Sequence, residues 1–86
     1  MKLDHDEIMT ALIRLDEEAL RGHLLSCGIT PPDDPTAFWI AIHRSRAQIP
    51  GVPEAFRDES ENWLKVLGLE VWADDPVIDV RKIFAV

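Results

Sequence analysis

The sequence predicts an all-α protein: a small bundle of about four short helices, followed by a C-terminal arm that reads as either a helix or a lone strand. Three observations predict it. Proline and glycine divide the chain into four pieces at Gly28, Pro31-Pro32, Asp34-Pro35, Pro50-Gly51-Val52-Pro53 and Gly68. Apolar residues recur within those pieces at helical spacing, most cleanly at Phe56, Ser60, Trp63, Leu64 and Leu67. Acids also stand where helix starts need them, at Asp4, Asp16 and Asp34.

The first piece reads as two helices rather than one. On a continuous wheel, Asp16 would fall inside the apolar face of Ile8, Leu12, Leu15, Ala19, Leu20, His23 and Cys27. A buried, unpaired carboxylate there is expensive. As an N-cap it is favourable, with Glu17 and Glu18 in the first turn behind it. The expected helices are therefore Asp4 to Arg14 and Glu17 to Cys27, with Gly28 just past the end and Ile29 as its apolar contact. Glu17 and Arg21 form an i,i+4 pair in the better orientation.

Thr30 to Asp34 is a proline-rich connector, and Asp34-Pro35 reads as an N-cap followed by proline at the first helical position. The third helix is expected over Pro35 to Ile49, with Phe38, Ile42, Ser45 and Ile49 along its central face. The fourth is expected over Pro53 to Leu67, closed by Gly68. The expected core is Leu12, Leu20, Leu24, Phe38, Ile42, Phe56, Trp63 and Leu67. Residues 1–68 form the helical body and 69–86 the arm of a single domain. In the arm, Asp75-Pro76 suits a helix start, but Val77, Ile78, Val80, Ile83 and Phe84 are equally strand-like.

Composition narrows the function classes. Apolar residues at 47% and charged residues at 29% are globular values. The single cysteine, Cys27, allows no intrachain disulfide. Acids occupy the N-terminal residues where a signal peptide needs an apolar run, and no stretch approaches a membrane span. The expected location is the cytoplasm, with no membrane association. The net charge is −7: residues 1–30 carry −3, 31–50 carry 0, and 51–68 and 69–86 carry −2 each. Direct nucleic-acid binding is not expected, because neutralising phosphates requires clustered Lys and Arg. A basic protein partner suits that field, and a homodimer is a further assembly that would help so small a core.

The densest polar–aromatic group is Trp39, His43 and Arg46, which share one flank of the third helix. Tryptophan and arginine are the residue types most enriched in binding hot spots. With Trp72 of the arm, these are the candidate binding residues. The competing reading is structural, with Arg46 paired to a carboxylate, for which Glu59 is the candidate, and its stem packed on Trp39. Ser45 and Ser60 lie inward on their helices, where a small residue allows close packing and its hydroxyl bonds back to a carbonyl. Reading Ser60 as a nucleophile with His43 as base lacks a strained turn and an oxyanion loop. His23 and Cys27 have i,i+4 spacing suited to two metal ligands, but two ligands are not a site. No catalytic residue, metal or cofactor is expected.

Asn62-Trp63-Leu64-Lys65-Val66-Leu67-Gly68-Leu69-Glu70-Val71-Trp72-Ala73 locally resembles the opening of a sterile-alpha-motif domain, a helical interaction module. Too few residues follow for that family's remaining helices, and the segment reads as a glycine-capped helix end with an apolar hook. The function that this reading favours is a small acidic protein-interaction module, an adaptor or regulator. The alternative is an inhibitor that imitates nucleic acid and occupies a basic groove.

Overall fold

The computed structural model describes residues 3–72 together with Asp75 and Ile78. It is an all-α bundle of four helices: α1 (His5–Arg14), α2 (Glu17–Ser26), α3 (Pro35–Gln48) and α4 (Glu54–Val66). No strand occurs among the described residues. The expected strand or helix over the rest of the arm falls on residues 73–74, 76–77 and 79–86, outside the described residues.

Side-chain chemistry sets most helix boundaries. Asp4 accepts from the Glu7 N–H while Glu7 reaches back to the Asp4 N–H, a complete capping box. Asp16 caps α2 through the Ala19 N–H, and Asp34 caps α3 through Thr36 with Pro35 behind it. Only α4 lacks a side-chain cap, because Pro53 occupies its N-cap position. At the other ends, α2 and α4 close through left-handed glycines, Gly28 at φ 78° and Gly68 at φ 74°. The N–H of Ile29 returns to Leu24 and that of Leu69 to Leu64, completing two Schellman motifs.

The α1–α2 corner uses the same motif without glycine. The Leu15 N–H bonds to the Leu12 carbonyl and the Asp16 N–H to that of Ala11. Leu15 therefore takes the left-handed conformation, φ 53° and ψ 49°. It is the one described non-glycine residue with positive φ. Asp16 ends one helix with its backbone and starts the next with its side chain.

The main core joins Ile8, Leu12, Leu20, Leu24, Phe38 and Ile42 with Ile49, Val52 and Ile78. A smaller cluster of Ala47, Leu64 and Val71 lies between α3 and the segment after α4. That segment is fastened to α3, since Arg44 donates to the Glu70 carbonyl and pairs with Asp75, and Gln48 donates to the Val71 carbonyl. Arg21 ties α2 to the connector by donating to the Pro32 carbonyl and lying 4.0 Å above the Phe38 ring. Two of the expected core residues, Phe56 and Trp63, are only partly buried. Leu67 is not core at all: at 52% exposure it stands on the surface. Leu67 directly precedes the Gly68 cap, where the helix ends and the chain turns.

Candidate functional site

α3 and α4 pack more extensively than any other pair of helices, and a polar cluster lies within their interface. Ser60, at the centre of the apolar face of α4, is fully buried. Its hydroxyl lies 3.0 Å from Nδ1 of His43 and accepts from Arg46 at 3.2 Å. Arg46 also donates to Glu59 at 2.8 Å and, across to α1, to the carbonyl of Ile13 at 3.0 Å. Its guanidinium lies 5.2 Å from the Phe56 ring centroid, and its Nε has no partner among the described residues. One cation thus joins three helices.

The hydrogen-bond inventory assigns the protons by satisfying each contact. Arginine can only donate, so the single Ser60 hydroxyl proton has one acceptor, Nδ1 of His43. His43 is then the neutral tautomer protonated at Nε2. Electrostatics agree: its pKa is lowered to about 4, first by burial and then by Arg46, with Glu59 opposing. Glu59 is held below its usual range by the hydrogen bond and charge of Arg46. The His43 ring stacks on Trp63 at 4.2 Å and 18°, and the Trp39 ring is tilted at 48° to it with a centroid distance of 6.3 Å.

Outward from this stack lies an open groove of about 460 Å³. His43 and Trp63 contribute to its lining, with Leu15 from the α1–α2 corner and Glu59, Asn62, Val66 and Leu67 from α4. Val66 is 77% exposed. Apolar side chains this exposed and grouped around a depression are a recognised mark of interaction surfaces.

The candidate binding residues separate on this frame. Arg46, 1% exposed, does not form a surface patch with Trp39 and His43. It has the structural role, with Glu59 as its carboxylate, although its head lies near Phe56 rather than on Trp39. Burial of the guanidinium is tolerated because three hydrogen bonds satisfy two of its nitrogens. His43 is buried yet reaches the groove, and Trp39 is half-buried with its ring edge-on to Phe38. Trp72 is 65% exposed and is not part of the groove lining. Sequence reasoning missed Leu15, Val66 and Leu67. The break at Asp16 was the only signal for Leu15, because nothing in leucine itself announces a left-handed corner.

The other expected features are simpler. Ser45 bonds back to the Ala41 carbonyl in its own helix. His23 accepts the Leu3 N–H at Nδ1 and faces Cys27 Sγ at 3.5 Å. Among the described residues no three His, Cys, Asp or Glu side chains are grouped to hold a metal ion, and no helix is long and apolar enough to cross a membrane. The chain matches no protein-family model, no curated protein and no solved structure.

Proposed function

We propose that this chain is a protein-interaction module whose recognition surface is the groove over the His43–Trp63 stack. The observation that carries the reading is the exposed apolar rim of Val66 and Leu67 facing a leucine held in a left-handed backbone. Glycine is the usual residue at that position of a helix end. A leucine there costs conformational energy and supplies side-chain surface to the groove and to the adjoining core.

A catalytic reading draws less support from the same cluster. The hydroxyl of Ser60 is enclosed and engaged by Arg46, and a histidine with a pKa of about 4 is a weak base near neutrality. The nucleic-acid-mimic reading needs acids free to present a charged array. Instead Asp4, Asp16 and Asp34 cap helices, and Glu17, Glu59 and Asp75 pair with arginines.

The test is site-specific photo-crosslinking in extracts of the native host, with the probe at Asn62 in the groove and, separately, at exposed Thr30. A discrete adduct is expected from position 62 and not from position 30, and Val66→Glu should remove it. Equal labelling from both positions, or none from position 62, defeats the proposal.

A further inference from the structure

We infer that the occupant of this groove is a cationic amphipathic segment of another protein, seated with a large apolar side chain against Trp63 and with its basic residues over the acidic α1–α2 corner. The inference rests on the interaction reading above and names the chemistry of the partner.

Three observations carry it. The first is continuity. Leu15 lines the groove, and the next residue in the chain, Asp16, lines a second depression of about 410 Å³ that also includes Glu18. An occupant that crosses the corner therefore passes from an apolar surface to an acidic one. The second is charge. Neither lining contains a lysine or arginine; the charged side chains are Glu18, Asp16, which keeps its negative charge while capping α2, and Glu59, whose charge is offset by Arg46. Arg14 and Lys65 are close in sequence but line neither depression. With −7 on the whole chain, a second copy would bring acid against acid, whereas a basic segment is attracted at long range. The third is a donor without an acceptor. In the tautomer assigned above, with Nδ1 accepting from Ser60, the Nε2–H of His43 has no partner among the described residues. A backbone carbonyl or hydroxyl of the occupant would satisfy it.

The experiment compares two synthetic amphipathic peptides that share one leucine pattern, with lysine on the polar face of one and glutamate on the other. Tryptophan fluorescence gives the affinity, and amide chemical shifts of the protein give the location. The lysine peptide is expected to bind at least about tenfold more tightly than the glutamate peptide, and more weakly as salt rises past the range where surface charges are screened. Its shifts should centre on Leu15, Val66 and Leu67. Val66→Glu separates docking from mere charge attraction: it adds a negative charge, so simple electrostatic adhesion would strengthen, whereas docking should weaken about tenfold. Circular dichroism confirms that this exposed substitution leaves the fold intact. The paired variant Asp16→Asn with Glu18→Gln should weaken the lysine peptide alone. Stronger or unchanged binding by Val66→Glu, shifts centred elsewhere, or concentration-dependent dimerisation through these residues overturns the inference. If neither peptide binds, or the glutamate peptide binds better, while the position-62 adduct persists, the cationic partner is wrong and the interaction reading survives. If the adduct is absent as well, both fail.

Discussion

Arg46 and His43 lie one turn apart on α3 and carry opposite consequences of burial. Arg46 keeps its charge because its donors reach Glu59, Ser60 and the Ile13 carbonyl. Arg46→Met preserves much of the packing but removes those bonds, and a loss on the order of 2–4 kcal/mol is expected from urea unfolding. His43 is buried neutral. The unfolded chain binds a proton near pH 6.5, whereas the folded chain resists it down to about 4. Between those values the unfolded state holds more protons, so stability falls as the pH drops, by at most about 3 kcal/mol. Urea midpoints measured across that window should decline in the native chain and flatten in His43→Gln; parallel profiles would assign the dependence to another group. Ser60→Ala strips the proton donor from Nδ1 and should cost about 1–2 kcal/mol, with the His43–Trp63 stack loosened enough to change tryptophan emission. Of this cluster, the Arg46–Glu59 pair was legible from helical spacing. The serine bridge was not, because a buried serine's partner depends on how two helices are rotated against each other.

At the scale of the element, the helix ends were the most legible part of the chain. Asp16, Asp34, Gly28 and Gly68 each perform a local task that a single residue type announces. The surface was harder to read. Periodicity places Leu67 in the same stripe as Leu64, yet one is exposed and the other fully buried against Ala47 and Val71, because burial depends on which neighbours the tertiary fold supplies. The α1–α2 corner shows the same limit, since Leu15 adopts a conformation that its neighbours impose. Leu15→Gly relieves a left-handed cost of about 1–2 kcal/mol while giving up apolar burial of similar size. Its net effect on the urea midpoint should therefore be small, while affinity for the lysine peptide drops. Asp16→Ala removes a cap and should cost about 1 kcal/mol by the same measurement, without the compensation that glycine brings at position 15.

For the whole molecule, the bundle is two helical hairpins laid together. The α3–α4 hairpin has the most extensive contacts, α1–α2 fewer, and α1–α3 the fewest of the three. The bond from Arg46 to the Ile13 carbonyl spans the two hairpins and joins residues 33 apart in sequence. Closing short loops is entropically easier than bringing distant segments together, so contacts within each hairpin are expected to form before this bond. The expectation is a latch made late, on the native side of the folding barrier. Removing it should speed unfolding far more than it slows refolding. A chevron for Arg46→Met in which the folding arm carries most of the change would place the latch in the nucleus instead. The side chain that supports the groove from beneath thus also governs how long the folded molecule persists once formed.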